Sequence, residues 1–289
     1  MIDIDKIQPK VSIGLAVFNG ERYLREALDS ILAQTFTDFE LIICDNCSTD
    51  GTVEICKAYA ESDPRISLHL SERNRGAAWN FNRAFEYSRG KYFRWAAHDD
   101  KVAPVLIERC VKVLDNNPDV VLCYPKTVVI DEAGETKKYY SDHLDLHSVD
   151  PSQRFNDFLF CPYRENHLIF GLMRRDVLKK TLLHQPYEAS DRILVAEMIL
   201  RGQISEIDEY LFFRRDHPMT SRHANIGTRQ INAWFDPNRK TIVHSTTLRV
   251  FLEYIKFPLR IPLHFQDALR IYYVIAKYTF DKYFRRIVT

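Results

Sequence analysis

From Val11 to Tyr124 the chain alternates short strand-forming runs with segments whose apolar residues recur every three or four positions, and this alternation most restricts the fold. Val11 to Phe18 (VSIGLAVF) reads as a strand that stops at Asn19-Gly20, after which Leu24, Ala27, Leu28, Ile31 and Leu32 mark one face of a helix. Glu40 to Cys44 is a second strand, followed by a polar loop, Asp45 to Gly51, and a helix through Val53, Ile55 and Tyr59. Ile66 to Leu70 gives a third strand, then Asn74-Arg75-Gly76 and a helix through Phe81, Ala84 and Phe85. Tyr92 to Ala97 is a fourth, its following helix carries Leu106, Cys110, Val113 and Leu114, and Val120 to Tyr124 is a fifth. Such alternation implies an α/β protein with a largely parallel sheet covered by helices on both faces.

In a sheet of this kind ligands bind outside the carboxyl ends of the strands. Asn19, the Asp45 loop, Asn74-Arg75-Gly76 and His98-Asp99-Asp100 all fall there, on one shared edge. Two adjacent carboxylates at a strand end suit a divalent cation held against a phosphorylated ligand, because Mg²⁺ and Mn²⁺ prefer hard oxygen donors. A solvated turn or a helix N-terminus also accommodates an isolated Asp-Asp pair. Asp45 is placed to accept hydrogen bonds from a base or ribose, while Ser48, Thr49 and Asp50 either share that work or cap the next helix. Neither G-x-G-x-x-G nor G-x-x-x-x-G-K-[ST] occurs, so nucleotide binding would use other devices.

Composition narrows the ligand class. The chain has 289 residues, enough for one large domain or two, and a formal net charge of +1 that provides no field for nucleic acid. MIDIDKIQPK lacks the blocks of a secretory signal and no apolar run approaches the ~20 residues that span a bilayer, so a cytoplasmic protein is expected. The six cysteines are then expected to be reduced. Cys44 and Cys47 form a C-x-x-C without a second such pair, which favours strand-end packing over redox chemistry or half of a zinc site.

Taken in order, VSIGLAVFNGERYLREALDSILAQTFTDFELIICDNCSTDGT, NRG and RGKYFRWAAHDDKVAP resemble the amino-terminal half of family 2 glycosyltransferases of the GT-A fold, over residues 11 to 125. The resemblance implies a mixed, mostly parallel sheet, a nucleoside diphosphate sugar donor, a Mn²⁺ or Mg²⁺ ion, and displacement with inversion; a uridine-linked donor is expected. Ala16, Phe18, Asn19, Asp45, Asn74 and Gly76 would contact the nucleotide. Asp99 matches the last carboxylate of the family's D-x-D and would bind the metal bridging the diphosphate, and Asp100 matches the acidic residue that often follows. Ala97 stands where the family commonly has its first Asp, and Phe81 stands where many relatives carry Arg, although Asn82 is retained. His98 occupies the variable middle position and is not expected to be a ligand.

The second half would hold acceptor and base. His167 to Thr181 looks like a strand and turn entering a helix on the acceptor side. Asp191 opens a helix bearing Ile193, Leu194, Ala196 and Met198, where the family places its catalytic base; Glu188 is the alternative, and a capping acid the non-catalytic reading. In FFRRDHPMTSR the resemblance makes His217 a metal or diphosphate ligand, and Arg214, Arg215 and Arg222 either neutralise the diphosphate or are solvated. A GT-A domain over 1–230 is expected, with nucleotide binding in about 10–130 and acceptor binding and catalysis in about 131–230. A helical extension over 231–289 would follow. Leu269, Tyr272, Ile275, Ala276, Thr279, Phe280, Tyr283 and Ile287 form its stripe, and Lys256 to Thr289 carries seven Lys or Arg against two Asp. This basic helix suits peripheral contact with anionic lipid and a glycan or lipid-linked acceptor, or packing on its own domain or a twin subunit. Transfer in surface polysaccharide biosynthesis is the leading reading. A non-catalytic nucleotide-sugar binding protein and a nucleotidyltransferase are the alternatives, and the oligomeric state is not encoded in any of these patterns.

Overall fold

Strand runs rich in Val, Ile and Leu are buried on both faces, as a covered parallel sheet requires. In β1 (Val11–Val17) and β2 (Phe39–Asp45) every residue is buried, and β3 (Ile66–Leu70) and β4 (Tyr92–Ala97) complete a parallel set. The computed structural model describes residues 8–162, 165–218, 228–237 and 246–283. α1 (Glu21–Leu32), α2 (Thr52–Ser62), α3 (Ala77–Glu86) and α4 (Leu106–Asn116) alternate with these strands, with β5 (Lys101–Val102) before α4.

Strand periodicity divides the side chains between two cores. Ile13, Leu15 and Val17 pack with Leu24, Leu28 and Ile31 of α1 on one face. Phe93 and Trp95 of β4 turn to the other, where they meet Phe85 of α3 and the carboxy-terminal helices.

The remaining strands are β6 (Val120–Ile130), β7 (Thr136–Tyr140), β8 (Leu172–Arg174) and β9 (Gln203–Arg215). The nine-stranded sheet runs β3-β2-β1-β4-β8-β6-β9-β5, with β7 paired to β6. It is mixed beyond β4: β8 is antiparallel to both β4 and β6, whereas β6 and β9 are parallel. The fifth expected strand thus extends from Tyr124 to Ile130, because β7 and β9 supply it with partners along its whole length. His167–Phe170 is a 3₁₀ turn rather than a strand, and only Leu172–Arg174 enters the sheet before α6 (Arg175–Leu178). Arg174 anchors this short strand by donating to the carbonyls of Leu114, Asn117 and Val120.

α5 (Pro151–Phe160) and α7 (Ser190–Arg201) cover the second face together with α9 (Thr246–Arg260) and α10 (Phe265–Tyr283), and α8 (Thr228–Phe235) lies beside the α3 loop. The apolar stripe expected on α10 is rotated. Ile271, Val274 and Ile275 are buried, and Tyr278 meets Phe160 of α5, while Leu269 and Phe280 are exposed. The helix therefore turns its most apolar edge to the chain's own core; Ile287 lies outside the described residues. Among the described residues no helix is long and apolar enough to cross a membrane.

Candidate active site

Parallel register brings the strand ends together: Val17 pairs with Asp45, and Ala16 with Ala97. Asn19 adopts a left-handed backbone (φ 51°), which asparagine tolerates, and its amide carbonyl accepts the Thr49 N–H at 2.8 Å. Ser48 Oγ accepts the Asn19 N–H at 2.8 Å, so the turn bearing Phe18 and Asn19 is fixed to the Asp45 loop. Phe18 stands 42% exposed at this edge. Asp45 is 1% exposed; Oδ2 accepts the N–H groups of Cys47 and Ser48 at 3.0 Å each, while Oδ1 has no partner among the described residues. A buried acceptor in that state is costly unless a ligand donor reaches it. Asp50 caps two helices at once, accepting from Glu21 N and Thr52 N.

Asn74 Oδ1 accepts from Asn46 Nδ2 and from the Gly76 N–H, and Asn46 Oδ1 accepts the Arg75 N–H. Gly76 takes φ +89°, and a Cβ there would stand 2.2 Å from the Phe235 carbonyl oxygen, so α8 closes onto this loop only because the residue is glycine. Asn80 donates to the carbonyls of Cys44 and Val17, tying α3 to the ends of β1 and β2. Cys44 and Cys47 are both free thiols; burial pushes the Cys44 thiol up to about 12, and its side chain packs with Ile42 and Ala84.

At the end of β4, Asp99 Oδ2 and His217 Nε2 lie 3.0 Å apart. An ionised carboxylate only accepts, so Nε2 carries the proton, and Nδ1 is buried without a partner among the described residues. Burial would raise the Asp99 carboxyl, but the His217 hydrogen bond and the charges of His98, His217 and Arg214 outweigh it and hold it below the usual range. Asp100 shifts the other way, raised by burial and by the Asp99 charge. Its Oδ1 accepts the Arg215 N–H at 2.8 Å, so Asp100 holds β9 in place behind Asp99. His98 packs against Gly20. Ala97 offers only a methyl group where the family has a carboxylate.

Asp99 Oδ2 and His217 Nε2 are a carboxylate and an imidazole donor on one edge, a pair whose chemistry suits Mn²⁺ once the Nε2 proton between them is displaced. No group of three or more His, Cys, Asp or Glu ligands is assembled among the described residues.

Arg215 is corrected from the sequence expectation. Its side chain is 0% exposed and is used on the Asp99, Asp131 and Glu132 carbonyls and on Glu26, under the Tyr23 ring. It is a buried clamp, neither solvated nor available to a diphosphate. Arg214 remains half-buried, 3.2 Å from His167 Nε2 and close enough to Asp99 to lower its pKa. Arg222 lies outside the described residues.

Asp191 sits in the first turn of α7, and Asn166 Nδ2 donates to its Oδ2 at 2.7 Å, with no hydrogen bond to Oδ1 among the described residues. Asn166 itself is held in a left-handed conformation, with its N–H on Asp142, and the adjacent His167 reaches Arg214. Asn166, His167 and Arg214 thereby connect the Asp191 region to the Asp99 region. Glu188 is exposed and accepts from Thr246 Oγ1. Asn82 makes two hydrogen bonds with the His184 backbone and so fixes the loop that leads into α7, while Phe81 donates no charge but offers its carbonyl to Trp95 Nε1.

His184 is buried in edge contact with Trp95, and burial pushes its pKa down to about 4 against the opposing pull of Asp191. A histidine depressed in the folded state from its ordinary ~6.5 binds fewer protons than in the unfolded chain, so its contribution is complete above about pH 6.5 and is lost as pH falls toward 4. Urea unfolding is expected to show a loss on the order of 2 kcal/mol from this residue between pH 7 and 4.5. His184→Phe should flatten that slope; an unchanged slope would remove His184 as its origin.

Asn46, Asn80, Asn166, His167 and His184 were not recognised from sequence. Asparagines near glycine or at helix starts were the only local signal, and it does not distinguish a loop from a cross-link.

The profile described as Glycosyl transferase family 2 matches residues 12–182. An uncharacterized glycosyltransferase of Methanocaldococcus jannaschii is 35% identical over 162 residues, covering 50% of this chain and 55% of that protein. The uncharacterized glycosyltransferase YibD of Escherichia coli is 29% identical over 236 residues, 77% of this chain and 66% of its own. The chain spans about half the length of several curated relatives, 43% in the case of a Rickettsia prowazekii protein. Among solved structures, S. aureus TarS 1-349 in complex with UDP-GlcNAc superposes with a TM-score of 0.66 at 15% identity, over 94% of this chain and 73% of that one. The mannosyltransferase PcManGT of Pyrobaculum calidifontis, in complex with GDP-Man and Mn²⁺, gives 0.54 at 15% identity, over 94% and 75%. At these identities the likeness is one of fold.

Proposed function

Because the chain belongs to glycosyl transferase family 2 and carries a GT-A type sheet, we propose that it moves a sugar, with inversion, from a nucleoside diphosphate sugar to a hydroxyl of a glycan or lipid-linked acceptor. The observation that carries this reading is the shared strand edge, where Asp45 keeps a buried oxygen with no partner among the described residues and Asp99 pairs with His217. Asp45 Oδ1 would accept a donor group of the base or ribose, and the Phe18–Asn19 turn and the Asn74–Gly76 loop would border it. A divalent cation held by Asp99 and His217 would supply the positive charge that the departing diphosphate needs. Asp191 would take the acceptor hydroxyl proton on Oδ1 while Asn166 fixes the carboxylate, so that the acceptor oxygen attacks the anomeric carbon opposite the diphosphate. The UDP-GlcNAc bound by TarS supports a uridine-linked donor, and a role in surface polysaccharide assembly is the biological setting we propose.

A thermal-shift panel of nucleotide sugars with and without Mn²⁺ tests the reading, since a ligand that binds the native state stabilises it by mass action. A uridine-linked sugar plus Mn²⁺ is expected to raise the melting temperature more than either alone. A response to none of the donors would overturn it.

A further inference from the structure

A second polar cleft lies at the opposite end of the sheet, where the strands begin. It is an open cleft of about 1260 Å³, lined by Lys10 before β1, Lys91 before β4, Arg174 of β8, Arg175 and Lys179 around α6, and Arg201 at the end of α7. Arg154 brings the cationic residues to seven, against Asp119 and Asp176 alone. The whole chain carries a formal charge of only +1, so the positive charge is concentrated here.

The protein neutralises part of this charge. Lys10 and Lys91 share Asp115, and Arg201 pairs with Glu197. Among the described residues Arg154, Arg174, Arg175 and Lys179 have no carboxylate partner. Arg154 and Arg174 direct their hydrogen bonds to backbone carbonyls, which hold the guanidinium groups in place without cancelling their charge. Arg175 donates from Nε to Ser88 Oγ and lies over the Phe85 ring, with no hydrogen bond from its terminal nitrogens among the described residues. Arg201 is 9% exposed, and its buried Nε–H has no partner among the described residues. Crowded like charges beside an unmet buried donor are stabilised when an anion enters.

We propose that this cleft binds a small soluble ligand carrying two or more phosphoryl groups. Guanidinium and ammonium groups bind phosphate oxygens, and seven cations line one open cleft beside Asp119 and Asp176, which suits a compact oligophosphate better than a single carboxylate. The seven residues of β1 separate the cleft from the Asp45–Asp99 edge by about 20 Å at ~3.3 Å per residue, so the ligand here is not the donor under reaction. The site acts by binding.

Calorimetric titration of the full chain with tripolyphosphate, in EDTA so that no metal-dependent donor site competes, tests the proposal. Saturable binding is expected, weakened about tenfold or more by Arg175→Glu combined with Lys179→Glu and left unchanged by Asp99→Ala. Lys179→Glu alone, at an exposed position, is the control should the double variant unfold; it is expected to weaken binding about threefold. Absence of binding to the native chain overturns the proposal, as does equal affinity in the folded charge-reversed variants. Loss of binding in Asp99→Ala would also overturn it, by placing the anion at the catalytic edge.

Discussion

Asp191→Asn is expected to lower sugar transfer by about 10²–10⁴-fold while donor affinity stays within about twofold of the native value. The amide keeps an oxygen to accept the Asn166 Nδ2–H, and it retains the shape of the carboxylate, so the loop and α7 should remain in place. What is lost is the capacity to take a proton. Inverting displacement needs that capacity only as the acceptor oxygen attacks, so the defect should appear in the turnover rate and not in donor binding. Single-turnover transfer beside donor calorimetry separates the two. Glu188→Gln is the matched comparison: Glu188 is exposed and engaged with Thr246, and its replacement should leave transfer close to native. Native-like transfer by Asp191→Asn, with loss in Glu188→Gln, would move the base to Glu188.

The second large effect is expected at Asp99. Asp99→Ala should abolish the Mn²⁺-dependent part of donor binding and weaken donor affinity about 100-fold, since His217 alone would face the cation. Ligand at 100 times its dissociation constant stabilises the native state by about 2.7 kcal/mol, so most of that stabilisation should vanish from the variant's melting curve at the same donor concentration. The fold should survive, because Arg215 holds the Asp99 carbonyl and not its side chain, and Asp100 keeps its hydrogen bond from β9. Removal of the neighbouring negative charge also moves the Asp100 carboxyl back toward its ordinary range, because the Asp99 charge adds to burial in raising it. An Asp99→Ala protein that retains the full Mn²⁺-dependent shift would rule out the Asp99–His217 pair as the cation site.

Neither variant touches the buried network around Arg215, and that contrast shows what local pattern conceals. In the string FFRRDHP, Arg214 and Arg215 are neighbours of equal chemistry. The parallel pairing of β6 and β9 turns one toward His167 and buries the other among carbonyls that lie as far back as Asp99. Asn166 presents a similar case: its value lies in meeting Asp191 across 25 positions of sequence. The α10 stripe misleads for another reason. Two helical faces carry apolar residues, and the choice between them is made by α5 and the core, not by the helix.

By itself the sequence determined the strands β1 to β4 and the helices α1 to α4 between Val11 and Asn116, down to the ends of β3 and β4, and the placement of Asn19, Asp45 and Asp99 on one edge. Backbone geometry imposes that result, because strand and helix periods set the buried face locally and parallel strands deliver their carboxyl ends to the same side. Tertiary structure alone decided the antiparallel β8, the pairing of Asp99 with His217, the Asn166 support of Asp191 and the gathering of cations at the far edge. Those are contacts between distant segments, whose chemistry arises only when chain packing brings them within hydrogen-bond or Coulomb range.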